Sequence, residues 1–435
     1  TKATGVALPR RVIALGVAFT LFLVIGVPVA FAIGLASVVG IWALDLRFVA
    51  VPTRMFTGID NFVLLAAPFY ILAGEIMARS GITERLVRFS MMITRNAPGG
   101  TAYSCVVSSI MFSGISGSAV SDAAALGQIF IKEMPKEGYR KDYAAALVVA
   151  SSMMGPIIPP SVIMIVFSSV TQVSVIDLFA AGIVPGLMLA GSIAFVIFMQ
   201  GLKGELPTPS FKLEQGEWKR LVVEGLLILT LPVVIIRGAS SGVFTTTEAG
   251  GIACFYATLL GWFVFKRLTL KALWQCLVVT ARMTATIYLI LAASEVMSWV
   301  LVRGGITDYV RDFGGLFGDN KILFLLALAF ALMIIGTFLE PAPAVILFIP
   351  LLMPAVNLLG IDTLQFAMVV ILTLTLGLIT PPVGVVMYVA CGIANINVWQ
   401  LFAKTWPFFL AELAVVILLC LFPELSNWVP LLLRS

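Results

Sequence analysis

Two six-residue segments carry the residue types that bind small, hard cations through backbone oxygen. Residues 155–160 read Gly-Pro-Ile-Ile-Pro-Pro and residues 377–382 read Gly-Leu-Ile-Thr-Pro-Pro, each in the middle of a long apolar run. Proline removes a backbone donor and pushes the preceding residue out of the α region, so neither segment can continue a helix. The carbonyl oxygens released by such a break are ligands that suit Na⁺. The two segments therefore predict two cation sites.

A Ser/Gly-rich stretch ahead of the first break adds hydroxyl oxygens. It reads Ser-Gly-Ile-Ser-Gly-Ser-Ala over residues 113–119, and its glycines let carbonyl groups turn inward. We expect Ser116 and Ser118 to contribute to the first cation site, and Thr337 with Thr380 to contribute to the second. For any one serine, close packing of membrane helices by small residues is the simpler interpretation. The repetition of the pattern in both halves of the chain favours cation sites.

Ionisable side chains beside these segments are the next candidates. Asp122 and Glu340 stand in apolar surroundings, where a charge is costly and is usually retained for function. They could bind an ion indirectly, carry a proton or cap a half-helix. Arg303 ends a predicted span, where it could hold a carboxylate through two parallel bonds or only extend to the membrane interface. Three other glutamates are weaker candidates, because they could lie near interfaces or pair structurally: Glu75, Glu295 and Glu412.

The composition is that of a polytopic membrane protein. Of the 435 residues, 60% are hydrophobic and 11% are charged, too few charges to cover the surface of a soluble protein of this length. There is no histidine, which excludes imidazole metal sites and histidine general bases. The five cysteines lack CxxC spacing and there is no Walker A loop, so we predict no enzymatic activity. The net charge of +5 suits cytoplasmic loops better than a nucleic-acid partner.

The apolar runs predict an all-α fold of transmembrane helices in a lipid bilayer. Two pairs of half-length helices joined by tight tips are typical of re-entrant hairpins, at about 101–134 and about 322–359. Each pair precedes a broken helix, at about 143–170 and about 366–393, and a full span then follows. The order of elements therefore occurs twice.

This repetition predicts the organisation of the whole chain. Gly-Ile-Thr-Glu at residues 81–84 is matched by Gly-Ile-Thr-Asp at residues 305–308, ahead of the two hairpins. Near the N-terminus, residues 12–44 are predicted to cross the membrane once, with a kink at Pro28. The chain then divides into an N-terminal transmembrane helix and connection (1–61), a first repeat (62–200), linking scaffold helices (201–271) and a second repeat (272–435).

The number of crossings predicts the orientation. Each repeat crosses three times and two spans lie between the repeats, so the second repeat is expected to be inverted relative to the first. With the N-terminus in the cytoplasm, the basic loops 132–141, 203–220 and 266–271 fall inside, whereas Arg47 and Arg303 fall outside. This distribution agrees with the positive-inside rule. It places the C-terminus outside and both hairpin tips in the middle of the membrane.

Five motifs, in this order, resemble the large membrane subunit of tripartite ATP-independent periplasmic (TRAP) transporters, the DctM-like family. They are Ser-Gly-Ile-Ser-Gly-Ser-Ala, Gly-Pro-Ile-Ile-Pro-Pro, Phe-Thr-Thr-Thr-Glu-Ala, Gly-Thr-Phe-Leu-Glu-Pro and Gly-Leu-Ile-Thr-Pro-Pro. The resemblance covers nearly the whole chain. The divalent-anion/Na⁺ symporter superfamily has a similar hairpin architecture, but its Ser-Asn-Thr tip signature is absent here.

The resemblance implies an inner-membrane elevator transporter that uses Na⁺ to take up an organic acid, such as a C4-dicarboxylate, a sialic or sugar acid, or a 2-oxo acid. It implies two partners, a small four-helix membrane subunit and a periplasmic substrate-binding protein. The predicted outer side, with the C-terminus, is then the periplasm.

The family motifs also imply the site residues. The first Na⁺ site would consist of Ser116, Ser118, Gly155, Ile158 and Pro160. The second would consist of Thr337, Gly377, Thr380 and Pro382. The substrate cavity would include Asp122, Arg303 and Glu340, and Glu340 stands where family members often have aspartate.

Two other functions fit the same hairpin pattern. A stand-alone Na⁺/anion symporter of the divalent-anion type would need no binding protein. An ion channel on the same fold would pass ions without alternating access, although two opposed hairpins favour gating. Both alternatives share the predicted cation sites.

Overall fold

The computed structural model describes residues 10–94, 96–207, 217–240, 243–315, 317–318 and 320–434. This part of the chain is built of α-helices joined by short turns and contains no β-strand, which confirms the all-α class. The helices are, in chain order, α1 Arg10–Val24, α2 Val29–Ala43, α3 Ala50–Ile59, α4 Ala66–Arg79, α5 Ile82–Thr94, α6 Gly100–Ser116, α7 Ala119–Glu133, α8 Lys141–Ser151, α9 Val162–Thr171, α10 Val175–Leu202, α11 Glu217–Ser240, α12 Thr246–Leu259, α13 Leu270–Arg303, α14 Ile306–Gly315, α15 Lys321–Phe338, α16 Pro341–Leu358, α17 Thr363–Gly377, α18 Val385–Ala394, α19 Val398–Leu421 and α20 Glu424–Arg434.

Among the described residues, seven helical segments are long and apolar enough to cross a membrane. The longest is α13, whose 34 residues extend about 51 Å at ~1.5 Å per residue, more than the ~30 Å hydrocarbon core requires. Helices α3 and α4 run antiparallel along it. Arg54 of α3 lies 3.9 Å from Glu295, and Arg79 of α4 donates a hydrogen bond to Gln275 at 2.8 Å. We call the two ends of the molecule the Lys271 end and the Arg303 end, after the ends of α13.

The N-terminal region folds differently from its prediction. A Cβ atom added to Gly40 of α2 would lie 2.5 Å from the Leu15 side chain of α1, and one added to Gly304 would lie 2.6 Å from Val12. Helices α1 and α2 are therefore antiparallel to each other and both pack against α13, and both Arg10 and Ala43 lie at the Arg303 end. The prediction that residues 12–44 form one kinked crossing is wrong.

The physical reason lies in the turn between the two helices. Gly26 has φ +86°, a left-handed conformation that ends α1, and Pro28 precedes the first residue of α2. Because proline at this position begins a new helix more readily than it bends an existing one, the chain turns back. Arg10 therefore lies at the opposite end from Lys271, not on the same side as predicted. Residues 1–9, with the N-terminus, and residues 208–216 of the predicted basic loop lie outside the described residues.

Two helix pairs and two broken helices follow one another in the same order. The pair α6–α7 turns at Gly117, which has φ +61°, and the pair α15–α16 turns at Leu339 and Glu340. Helices α8 and α9 are the halves of one broken helix, and α17 and α18 are the halves of the other. In both breaks the Pro–Pro peptide bond is cis. A long helix, α10 or α19, comes after each break.

Two amphipathic helices connect the long helices to the hairpins: α5 lies between α4 and α6, and α14 lies between α13 and α15. At the Lys271 end, α5 is held to neighbouring elements by ion pairs. Arg85 pairs with Glu224 of α11, which also binds Arg220 at 2.8 Å. Arg267 donates to Glu84 at 2.5 Å. The base of the first hairpin is therefore attached to α11 and to the segment after α12.

The antiparallel arrangement of α1 and α2 can be tested by labelling single cysteines with a membrane-impermeant maleimide. Arg10→Cys and Arg303→Cys are expected to react from the same side of the membrane, and Lys271→Cys from the opposite side. The unsubstituted chain, whose five cysteines are free and mostly buried, gives the background. If Arg10→Cys reacted instead from the same side as Lys271→Cys, residues 12–44 would cross the membrane once, as the sequence predicted.

Candidate functional site

Both hairpin tips and both helix breaks meet at one cavity of about 290 Å³ in the middle of the molecule. The tip of the first hairpin contributes residues 116–121, and the tip of the second contributes residues 340–343. Pro156 and Leu378 come from the two breaks. The structure thus brings together segments that lie far apart in the sequence. The opposite wall comes from α4 and α13, and its residues are Ile71, Gly74, Glu75, Ala78, Met283, Thr286, Ile287 and Ile290.

The first tip touches the first break backbone to backbone. A Cβ atom on Gly155 would lie 2.8 Å from the carbonyl carbon of Ser118 and 2.8 Å from a carboxylate oxygen of Asp122. A Cβ atom on Gly117 would lie 2.8 Å from the carbonyl oxygen of Pro160. Because those distances are shorter than any real Cβ contact, only glycine allows this approach.

The first break leaves oxygen atoms without protein donors. Within the described residues, no hydrogen bond reaches the carbonyl oxygens of Ile158 and Pro160, and Pro159 and Pro160 have no N–H to donate. The Ser118 hydroxyl oxygen accepts only a long bond from the Ser121 N–H, at 3.5 Å. Unpaired carbonyl groups inside a protein are costly, and such oxygens are the donors that a hard cation requires. The donor set fits Na⁺.

Asp122 lies behind the tip, not in the cavity. Its side chain is fully buried and accepts hydrogen bonds from the hydroxyl of Ser113, at 2.8 Å, and from the hydroxyl of Ser116. Its backbone N–H donates to the Ser118 carbonyl at 3.0 Å. The carboxylate therefore joins the end of α6 to the start of α7. The N-cap of α7 is Ser118; Asp122 links the two helix ends through the serine hydroxyls and does not reach the cavity surface.

The second tip and break are arranged in the same way. Gly377 packs directly on the backbone of Gly336, in the last turns of α15. The Thr337 hydroxyl donates to the Ile334 carbonyl at 2.7 Å, and the Thr380 hydroxyl donates to the Leu376 carbonyl at 2.9 Å. Each hydroxyl oxygen keeps lone pairs for a cation. The carbonyl oxygen of Pro382 accepts no hydrogen bond within the described residues.

The charged residues divide between the cavity and its surroundings. Glu340 lines the cavity at the start of α16, and its carboxylate makes no hydrogen bond or ion pair with any described residue. Glu75 also lines it and lies 3.5 Å from Arg79. Arg303 is not among the lining residues: it lies about 20 Å beyond Ile290 along α13, at ~1.5 Å per residue. The structure therefore brings Glu340 to the cavity and leaves Arg303 apart.

A second, polar cavity of about 310 Å³ lies nearer the Arg303 end. Asp60, Asn61 and Glu295 line one side, and Ser169 at the end of α9 lines the other. The Asn61 amide donates to the Ser169 carbonyl at 2.9 Å, which closes the contact between α9 and the α3–α4 junction.

Sequence reasoning missed the α4–α13 wall, because its apolar residues do not differ in type from those that face lipid. Thr286 and Glu75 were the signals available, as polar residues within long apolar runs. Glu412 gave the same signal but lies elsewhere. It is fully buried in α19, and neither carboxylate oxygen has a hydrogen-bond partner among the described residues.

Comparison with known proteins decides the family. The sequence-family model for the DctM component of tripartite ATP-independent periplasmic transporters matches residues 16–425 of the chain. The chain belongs to this family. It is 34% identical to the sialic acid TRAP transporter large permease protein SiaM of Vibrio cholerae over 411 residues, 93% of this chain and 95% of that one. It is 33% identical to the 2,3-diketo-L-gulonate TRAP transporter large permease protein YiaN of Escherichia coli over 402 residues, 92% and 94% of the two chains.

The fold of this DctM-family chain also matches a solved transporter. The YdaH transporter of Alcanivorax borkumensis superposes with a TM-score of 0.67 over 88% of each chain, at 13% sequence identity. At that identity the likeness shows the fold alone. The prediction of a large TRAP membrane subunit is confirmed by the family match, and the chain is a multi-pass transporter subunit.

The role of Asp122 in the DctM-family subunit predicts a stability change. Asp122→Ala leaves the buried Ser113 hydroxyl and the half-buried Ser116 hydroxyl without their acceptor, so the free energy of unfolding in detergent is expected to fall by about 3 kcal/mol. Asp122→Asn, which keeps one acceptor oxygen, is expected to lower the free energy of unfolding by less. Asp308→Ala, at an exposed position of α14, serves as the matched control. An unchanged stability of Asp122→Ala would show that these hydroxyl hydrogen bonds do not hold the tip together.

Replacing Glu412, in contrast to replacing Asp122, is expected to raise the free energy of unfolding. A buried carboxyl group without a partner destabilises a fold, so Glu412→Leu is expected to raise the free energy of unfolding by about 1 kcal/mol or more. Glu412→Gln keeps two polar groups in the same place and is expected to bring no such gain. A loss of stability in Glu412→Leu would show that the carboxyl group has a partner and is needed.

Proposed function

We propose that this subunit couples the entry of Na⁺ to the uptake of an organic acid across the bacterial inner membrane. One observation carries the proposal: each helix break is held against a hairpin tip through a glycine, and both junctions border the same cavity. The first Na⁺ site consists of Ser116, Ser118, Gly155, Ile158 and Pro160. The second consists of Thr337, Gly377, Thr380 and Pro382.

The charges around the cavity support this coupling. Two carboxylates line it, Glu75 and Glu340, and no lysine or arginine is among the described lining residues. An anionic substrate would be repelled from such a cavity. A cation bound at each tip would offset the two carboxylate charges and remove this repulsion, so Na⁺ is expected to bind before the acid. Glu340, which has no protein donor, is then available to accept hydrogen bonds from hydroxyl or amino groups of the substrate.

An elevator motion accounts for the division of the molecule. The moving body consists of the hairpins, the broken helices, α10 and α19, and the scaffold consists of α1–α4 and α11–α13. The amphipathic helices α5 and α14 connect the two. Na⁺ at the tips makes hairpin and break a single rigid surface, which shields the substrate during movement. Each charge that enters along the membrane potential contributes about 2.3 kcal/mol per 100 mV.

We place the Lys271 end in the cytoplasm. Among the described residues it holds most of the lysines and arginines, including the clusters at 132–141 and 266–271, whereas the other end has Arg10, Arg47, Arg54, Arg303 and Lys321. The C-terminal helix α20 follows the end of α19 and lies on the periplasmic side. A periplasmic binding protein that delivers the acid, and a small four-helix membrane subunit, are the partners expected for this family.

Uptake by proteoliposomes tests the proposal. The subunit is reconstituted with its small membrane partner and offered a panel of labelled organic acids, with and without the binding protein and an inward Na⁺ gradient. Accumulation that needs both is the expected result. Accumulation without the binding protein would favour a stand-alone symporter, and single-channel currents would favour a channel. Accumulation that does not change when Na⁺ is removed would overturn the coupling.

Matched glycine variants test the junctions themselves. Gly155→Ala forces a methyl group onto the Ser118 backbone and is expected to reduce Na⁺-dependent uptake at least tenfold. Gly191→Ala, in α10, has no heavy atom within 4 Å of the added carbon and is expected to keep uptake within a factor of two. Wild-type Na⁺ dependence in Gly155→Ala would exclude this junction as a cation site.

A further inference from the structure

A groove of about 720 Å³ opens at the Lys271 end between α8, α10 and α19, on the moving body and away from the substrate cavity. Its floor is apolar and aromatic, formed by Phe195 and Met199 of α10 and Pro407 of α19. The Tyr143 hydroxyl donates to Gln200 at 2.8 Å and satisfies the polar groups at its inner edge. We call it the α10–α19 groove.

At the opposite end of α10 and α19, the corresponding surface is covered by a helix. There α19 is followed directly by α20, which packs along α10 and α17. The chain that follows α10 takes another course. After Lys203 it turns to the base of the first hairpin, where the Gly99 N–H donates to the Pro207 carbonyl at 3.2 Å. Within the described residues, no helix covers the α10–α19 groove.

The rim of the groove is basic. Lys203, Lys404 and Arg140 line it, with Glu205 as the acidic member. Arg140 holds both oxygens of Asp142, at 3.0 and 2.7 Å, and this pairing lowers the pKa of the Asp142 carboxyl below its usual value. Lys203 and Lys404 form no ion pair with a described residue, although the charge of Lys404 also contributes to the lowered pKa of the Asp142 carboxyl. Two unpaired ammonium groups therefore face the mouth of an apolar groove.

We propose that the α10–α19 groove binds an anionic phospholipid of the cytoplasmic leaflet. Lys203 and Lys404 hold the phosphate, and an acyl chain lies along Phe195 and Met199. Basic pockets between membrane helices on the cytoplasmic side suit anionic lipid headgroups, and lysine can extend its charged end to that level while its methylene groups stay on apolar surface. The lipid occupies the position that α20 fills at the other end and stabilises the packing of α19 on α10.

Native mass spectrometry of the full subunit, purified with its small membrane partner, tests the site. After incubation with phosphatidylglycerol, the wild-type protein is expected to retain one more lipid than the Lys203→Gln/Lys404→Gln variant. The mass peak that carries this additional lipid is expected to be at least tenfold weaker in the variant. Lys266→Gln/Lys271→Gln, at the same end, is the matched control and is expected to keep it. Lys203→Arg/Lys404→Arg is expected to restore binding. Equal retention by both glutamine variants would overturn the proposal.

Thermal unfolding distinguishes a lipid from a free anion. Phosphatidylglycerol is expected to raise the Tm of the wild-type protein more than that of the Lys203→Gln/Lys404→Gln variant, because a ligand that binds only the folded state stabilises it. Phosphatidylcholine and inorganic phosphate are expected to give no such difference. An equal shift with phosphate would show that the site takes a free anion, which contradicts lipid binding. The measurement needs no transport and does not depend on Na⁺ coupling.

Discussion

The lack of water in the hydrocarbon core is the constraint on which this structure depends, since every backbone polar group at that depth must find a partner in the protein. The chain breaks two helices there, at Gly155–Pro160 and Gly377–Pro382, and presses a hairpin tip against each break. Both contacts are so close that no side chain fits at Gly155 or Gly377. Because proline has no N–H, carbonyl oxygens at the breaks lack hydrogen-bond donors. The tips enclose these oxygens beside hydroxyl groups, where a small cation could bind them.

Electrostatics extends the same logic to the cavity. Glu340 and Glu75 line it without a lysine or arginine among the described lining residues, so in the proposed mechanism a cation at each tip offsets these charges before an acid binds. Asp122 contributes from behind, because its hydrogen bonds to Ser113 and Ser116 fix the turn from α6 to α7. The residue closest to the predicted substrate role is thus Glu340, and Asp122 serves the tip itself.

The two ends of the packed helices α10 and α19 are not equivalent, although the elements repeat. At the Arg303 end α20 covers the surface of α10, whereas at the Lys271 end the corresponding groove is left with two unpaired lysines at its rim. Helix α5, which leads into the first hairpin, is also attached to α11 through Arg85 and Glu224. Charge at this end therefore holds a connecting helix, and in our proposals it also sets the orientation and binds a lipid headgroup.

The sequence by itself determined the class, the family and the broken helices, because apolar length and paired Gly/Pro segments are local properties. It placed the two helix pairs at about 101–134 and about 322–359, where the structure has them at 100–133 and 321–358. Only the tertiary structure decided that residues 12–44 turn back at Gly26, that Asp122 faces inward and that Arg303 lies far from the cavity. Those outcomes depend on which surfaces pack together, and an apolar residue facing lipid has the same type as one facing protein.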